Sequence, residues 1–419
     1  MSERELDVVV LGATGVTGRR VAGYLAEQRP DGGWAAAGRD AGRVESVLAE
    51  EGVSAPETIV ADVSDRESLA ALAPRARVVL NLVGPYTPTA RPVIEACVEH
   101  GAHYADLTGE IPFARRMIDE FHQPATAAGV KIVEVCGFEA LPPDLLVLLA
   151  TEAARERWDE GVAEADLELT WRPPGGFARP SDLSGGTLQS LSAMVNDPDA
   201  ARARDPAALI PDEGTASRVR SASPIAVTPR RGRGGAVVAP MQPSGFINPA
   251  VIHRTAALVA AEGGDGFDPF RYREGLALAG SDASLPLRYA AAGAMAGPQA
   301  AFASATRARP DMRRRIAGAL TRILPSSGFG PAADRLEAWT WRMAVSARTT
   351  GGHEVQARVD AEGQPGYLAT ARLLGEAGLL MAEAGATPER AGCLTPATAI
   401  GTQSVDRFER ARLRFSVAD

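Results

Sequence analysis

The chain has 419 residues, 45% of them hydrophobic and 23% charged, with a formal net charge of −8. That length and balance predict a globular protein of two domains, and the acidic charge excludes nucleic acid as a general partner. Lysine occurs once, as Lys131, so no Tyr-x-x-x-Lys pair and no phosphate-loop lysine exist, and only Lys131 could form a Schiff base. Cys97, Cys136 and Cys393 stand far apart, as expected of reduced thiols, and the five histidines lack metal-ligand spacing, so no metal is expected. A polar start leading straight into a strand is no signal peptide, which predicts a cytoplasmic protein.

The first strand is the β-branched run Val8 to Leu11 in "VVVLGATGVTGRR", a pattern of burial on both faces of a parallel sheet. Gly12, Gly15 and Gly18 follow, and a helical period then places Val21, Tyr24 and Leu25 on one face. A strand, a glycine turn and a helix start bring free backbone N–H groups and a positive helix end to one point, which suits a pyrophosphate. The cradle comprises Gly12, Thr14, Gly15, Val16, Thr17 and Gly18. A second strand, Trp34 to Ala37, ends in Gly38-Arg39. An NAD-preferring domain carries an acid there to bind ribose hydroxyls. Arginine cannot accept those bonds but can pair a 2′-phosphate, so Arg39, with Arg43 one turn on, points to NADPH.

Further along, "ETIVADV" is a third strand, with Asp62 and Val63 expected beside the adenine. The fourth strand is read as Val78 to Val83, ending in Gly84-Pro85-Tyr86. Ligands collect outside the carboxyl ends of strands in open α/β sheets, so Val83, Gly84, Pro85 and the residues to Thr87 should border the nicotinamide. Helix, strand and helix then alternate through "AHYADLTGE" to "VKIVEVCGF", which predicts an α/β fold with an N-terminal Rossmann-type, doubly wound parallel sheet.

The middle is less regular. "ADLELTW" alternates as a strand, "WRPPGGFARPSDLSGGTLQS" is a loop opening into a helix near Thr187, and the segment around 197–220 is a polar excursion. "RRGRGG" at Arg230 to Gly235 lacks interleaved aromatics and is expected to be a solvated loop. Residues 275–301 are rich in alanine and glycine but too polar for a membrane span. In "DMRRRIAGALTRILP", Met312, Ile316, Ala319, Leu320 and Ile323 share a helical face. Such a basic amphipathic helix either packs on its own core or, through residues 311–324, meets an acyl carrier protein or an anionic membrane surface.

The motifs "NLVGPYT", "AHYADLTGE" and "CGFEALPPDL" resemble successive signatures of the saccharopine dehydrogenase-like reductases, and more narrowly the actinobacterial trans-acting enoyl reductases. The resemblance continues in "SGGTLQS", "NPAVIHRTAAL", "PGYLATARLLGEAGLLMAEAG" and "GCLTPATAIG", and is weak between about 195 and 235. It implies an NADP-binding domain over 1–145 and an α+β substrate and dimerisation domain around a mixed sheet over 146–364. C-terminal helices over 365–419 would return to the first domain, and a homodimer is one expected assembly. It also implies reduction of a C=C bond in a polyketide or lipid-like intermediate, free or carrier-bound, by a cytoplasmic or peripherally membrane-associated enzyme. Imine or ketone reduction and a nucleotide-binding protein without catalysis are the alternatives. Glu139, Ala140 and Gln364 depart from the family pattern, which has Asp, Ser and Asp there; all three lie near the expected cleft and bear on substrate more than cofactor.

Reduction by NADPH needs a proton source opposite the hydride donor. The candidates are Tyr86, Glu139 and Asp106, with Tyr104 and Glu110 beside them, all at or after strand ends. Tyr86 either donates the proton or packs on the nicotinamide, and Asp106 and Glu110 have a structural alternative, with Thr108 as a helix cap. A saccharopine-type site would gather arginines around substrate carboxylates; Arg172, Arg179 and Arg254 are the available ones.

Overall fold

The computed structural model describes residues 4–176, 192–240, 244–263, 268–278, 284–323 and 333–418. "SGGTLQS", Thr187 and Arg179 lie outside the described residues. The first unit runs β1 (Leu6–Leu11), α1 (Val16–Gln28), β2 (Trp34–Gly38), α2 (Ala41–Glu50), β3 (Thr58–Val60), α3 (Arg66–Leu72), β4 (Ala76–Asn81), α4 (Tyr86–His100), β5 (His103–Asp106), α5 (Ile111–Ala128) and β6 (Lys131–Val133). Several of the turns have a local cause. Asp40 accepts the Arg43 N–H at the start of α2 and Asp65 the Glu67 N–H at the start of α3, the capping that short acidic side chains supply. Left-handed Gly101 and Gly129 end α4 and α5.

A long helix, α6 (Leu141–Trp158), leads into the second unit: β7 (Val162–Arg172), β8 (Arg230–Arg231), β9 (Val237–Ala239), β10 (Arg271–Leu278), β11 (Thr340–Thr349) and β12 (Glu354–Glu362). The chain then returns through the helix Thr370–Ala382 to β13 (Gly392–Leu394) and β14 (Leu413–Val417). The first sheet has order β13-β6-β5-β4-β1-β2-β3 with every pairing parallel. The second, β14-β12-β11-β7-β10-β9-β8, is antiparallel except between β7 and β10. The first is the doubly wound parallel sheet that the alternation of elements predicts, and the second is the mixed sheet that the family resemblance implies.

The structure corrects several local readings. The fourth strand stops at Asn81 rather than Val83, and Tyr86 opens α4 instead of ending a strand. Arg230 and Arg231 form an edge strand, not a loop, because Arg230 pairs with Asp166 on β7. The C-terminal stretch supplies more than helices. β13 extends the first sheet beside β6, and β14 pairs with β12 in the second. Lys131 is structural: its ammonium donates to Thr387 Oγ1 and to the carbonyls of Pro388 and Ala399 at 2.5–3.1 Å.

α6 and the Thr370–Ala382 helix share one continuous apolar core with one face of each sheet, among them Val10, Leu80, Leu145, Leu167, Met343 and Leu374. Asp144, in the first turn of α6, ties this layer together. Its carboxylate accepts Thr255 Oγ1–H at 2.6 Å and the Ala397 N–H at 2.8 Å. Burial nevertheless pushes its carboxyl up to about 7. A folded-state pKa raised above the unfolded value of about 3.9 means that stability is greatest below that value and declines as pH rises towards 7. Thermal melts across about pH 4 to 7 should therefore show Asp144→Asn losing less stability with rising pH than the wild type.

Candidate functional site

The carboxyl ends of β1 and β4, where the strand order reverses, open into a cleft of about 720 Å³. Of the residues expected to hold the cofactor, Gly12, Thr14, Gly15, Val16, Thr17 and Gly18 line one end with Arg39, Asp62 and Val63. Val83, Gly84 and Pro85 line the middle. Arg43 does not line the cleft; its position in the first turn of α2 leaves it exposed. Arg19 lines the cleft instead and pairs with Glu51 at 3.0 Å.

The three glycines have separate reasons. Gly12 takes φ +89°, and a Cβ there would meet Val83 at 2.9 Å. A Cβ on Gly18 would lie 2.2 Å from the Gly12 carbonyl oxygen, so α1 can approach β1 only without a side chain. Gly15 has ordinary extended backbone, and its Cβ would meet nothing closer than 3.3 Å. Gly15 is also the N-cap of α1 and makes no side-chain cap. The first-turn N–H groups of the helix therefore face the cleft without an internal acceptor. This donor set, with a cation at the far end, fits a dinucleotide carrying a 2′-phosphate.

Asp62 is held below the usual carboxylate range, first by the Ser64 N–H and hydroxyl and less by Arg39. It stays charged beside Arg39 and sets the wall of the adenosine end.

At the other end the cleft passes Leu107, Gly109, Val135, Gly137, Glu139, Met194, Ile247, Tyr367 and Thr370. Met194 and Ile247 come from the second unit, and nothing in their sequence surroundings marks them. Tyr367 and Thr370 fall in "PGYLATA", where a π-helical turn, Pro365–Ala369, leads into the C-terminal helix. Thr370 Oγ1 donates to the Pro365 carbonyl and accepts the Phe138 N–H, so it joins that turn to the loop carrying Glu139.

The expected acid–base residues separate by placement. Glu139 is half-buried and lines the cleft, and burial raises its carboxyl above the ordinary value. Tyr86 lines the cleft with its ring, but its hydroxyl turns inward, 3.4 Å from the Asn81 carbonyl. Burial and the charge of Asp106 push that phenol well above its usual range. Asp106 does not line the cleft. It is fully buried, accepts the Tyr104 hydroxyl at 2.7 Å and the Thr108 and Val135 N–H groups at 3.0 and 3.3 Å. Burial brings its carboxyl up to about 7. Glu110 accepts the N–H groups of Tyr86 and Thr87 and the Thr87 hydroxyl, so it caps α4. Thr108 accepts the Glu110 N–H.

The arginines considered for substrate carboxylates do not gather here. Arg172 is exposed at the end of β7, and buried Arg254 donates to the carbonyls of Leu209 and Cys393 at 2.9 and 2.8 Å.

The family model of the saccharopine dehydrogenase NADP binding domain matches residues 8–133. A Mycobacterium tuberculosis relative is 38% identical over 423 residues, 97% of this chain and 96% of its own. The trans-acting enoyl reductases of Mycobacterium ulcerans and Mycobacterium bovis are 34% and 32% identical, each over 97% of this chain and 96% of their own. The chain belongs to the trans-acting enoyl reductase family. This reductase is an NADP-dependent oxidoreductase. Yeast saccharopine dehydrogenase (L-Glu forming), 12% identical, shares the fold with a TM-score of 0.50 over 98% of the reductase and 99% of the yeast chain.

Two substitutions test the nucleotide end. Calorimetric titration of Arg39→Asp should show NADPH affinity falling towards that for NADH, whereas an unchanged preference places the 2′-phosphate contact elsewhere. Gly15→Val should keep most of its melting temperature yet lose nucleotide binding, because Gly15 has extended backbone and a Cβ there meets only the Gly12 carbonyl oxygen, at 3.3 Å, within the protein. Gly18→Ala, by contrast, should melt early.

Proposed function

We propose that the protein reduces the C=C bond of an α,β-unsaturated thioester of polyketide or lipid-like character, free or carrier-bound, with Glu139 as the proton donor. The names of its relatives support the bond type, and the half-buried carboxyl of Glu139 at the substrate end of the cleft supports the proton step. NADPH, when bound, supplies the hydride. The Gly12–Gly18 turn and Arg39 would hold its phosphates, and Val83 to Pro85 would border the ring end.

Saturating a conjugated C=C bond adds hydride to the β-carbon and a proton to the α-carbon. The protein's share is the proton, the orientation of the chain and the exclusion of water. A carboxyl raised by burial retains its proton nearer neutrality and can release it to a carbon that gains electron density. Leu107, Met194 and Ile247 give the substrate an apolar wall, and Tyr86 gives a flat one. Asp106 acts as a positioning residue: it holds Val135, a β-branched residue at φ +61°, and so sets the turn that carries Gly137 and Glu139. Imine or ketone chemistry of the saccharopine type is less well supported, since neither Arg172 nor Arg254 faces the cleft.

Enoyl thioesters of increasing chain length, assayed by NADPH oxidation beside matching ketones and imines, test the bond type; turnover confined to ketones or imines sinks it. Within the active series, Glu139→Gln should lower kcat by about 10²–10⁴ with NADPH affinity intact. Tyr86→Phe should stay within a few-fold of wild type, because its hydroxyl bonds to the backbone. The reverse pattern would move the proton to Tyr86.

A further inference from the structure

We infer that the outer face of the helices Leu285–Ala305 and Pro310–Ile323 docks on an anionic lipid bilayer beside the substrate end of the cleft. Sequence periodicity places Met312, Ile316 and Ala319 on one face that could pack inward. The structure leaves both ends of that face outward, with Ile316 half-buried between them. Met312 is 51% exposed and Ala319 is exposed, while Ala317 is buried. Leu320 and Ile323 have no described side chains.

Three observations converge on a lipid surface. First, large exposed hydrophobic side chains are few among the described residues: Val60, Val227, Leu287, Met295 and Met312. Three of the five lie on these two consecutive helices. Second, Leu285–Ala305 buries only Ala292, Ala296 and Gln299. Ala292 packs on Val237 and Ala239 of β9. The opposite side is an uninterrupted strip of alanine, glycine, proline, Leu287 and Met295, with Ser304 its only polar exposed residue. A helix of 21 residues is about 30 Å long. Its one charged side chain, Arg288, is half-buried and donates to the Gly235 carbonyl.

Third, the charge runs against the rest of the protein. Residues 284–319 carry six arginines and one aspartate in a chain of net charge −8. Arg307, Arg309, Arg314 and Arg315 are exposed, and Asp311 is paired to Arg314. Guanidinium groups pair phosphate oxygens in planar, bidentate fashion. Because the chain as a whole is acidic, this local excess of arginine favours presenting this face to an anionic bilayer.

Position links the surface to the cleft. Arg313 donates to the Asp197 carbonyl at 2.7 Å, and Ser192 Oγ donates to the Ala317 carbonyl at 3.2 Å. Met194, between those two anchors, lines the cleft. The basic helix is thus braced on the segment that closes the substrate end. An acidic protein would need only the arginines. The uncharged strip with Leu287 and Met295 is what an acyl boundary accommodates, with arginines at headgroup level.

The test is flotation of the full chain with vesicles of phosphatidylcholine, alone or mixed with phosphatidylglycerol. Its readout does not involve turnover, so it stands or falls apart from the reductase assignment. Wild type should float with the mixed vesicles, weakly with phosphatidylcholine alone, and less as salt rises. The triple variant Arg309→Glu, Arg314→Glu, Arg315→Glu should lose more than about a hundredfold in partitioning, since removing each arginine's charge alone costs about fivefold. The milder Arg→Gln set should show a smaller loss, and Leu287→Glu with Met295→Glu should also release the protein. Unchanged NADPH binding shows that each variant is folded. Wild type that stays free of anionic vesicles, variants that float as well as wild type, or arginine-dependent retention by an acyl carrier protein in place of vesicles would each overturn the proposal.

Discussion

The rim of the cleft depends on one buried carboxylate. Asp106 ends β5, and its oxygens take the Tyr104 hydroxyl, the Thr108 N–H and the Val135 N–H. Its own carbonyl takes the Cys136 N–H. Two loops are fixed in this way. The first carries Glu110, which caps α4 and so places Tyr86; the second carries Gly137 and Glu139. A carboxylate sealed from water is costly, and each bond it accepts offsets part of that cost. Val135 shows what the arrangement sustains, since a β-branched residue at positive φ persists only where its surroundings dictate it.

The two ends of the cleft are built by different means. The nucleotide end is almost wholly local. Backbone N–H groups, a helix start and a glycine that lets helix and strand touch all come from a single β-α turn, and Arg39 follows one strand later. The substrate end is assembled from distant segments: Leu107 and Glu139 from the first unit, Met194 and Ile247 from the second, and Tyr367 and Thr370 from the returning chain. Such a division lets the nucleotide site stay constant while the substrate wall is exchanged, and it leaves function to the site rather than the fold.

The same division explains how far the sequence could be read. Gly12, Gly15, Gly18 and Arg39 were legible because their chemistry is contained within a few residues. The alternation of strand and helix was legible for a similar reason, as buried strands are β-branched runs. Strand ends were less so: Leu82 and Val83 look like strand, yet the Val83 N–H is taken by the Asn81 side chain, and the ladder stops. The direction of the Tyr86 hydroxyl depended on the Asn81 carbonyl, and the burial of Asp106 on loops far along the chain. Arg43, in the first turn of α2, is exposed and stands outside the cleft lining. Met194 and Ile247 carried no signal at all, since an apolar residue on a cleft wall looks like any other in the core.

β13 and β14 bear on how the chain reaches this state. β13 pairs with β6, and β14 pairs with β12, so the last stretch of polypeptide supplies an outer strand to each sheet. During synthesis the edges of β6 and β12 emerge without these partners, and open strand edges invite pairing with other chains. Neither unit can be finished from the amino-terminal side alone. Helix Thr370–Ala382, which shares the core between the sheets, also arrives late. Completing either sheet therefore requires long-range closure by residues 392–417, a kind of contact that forms slowly.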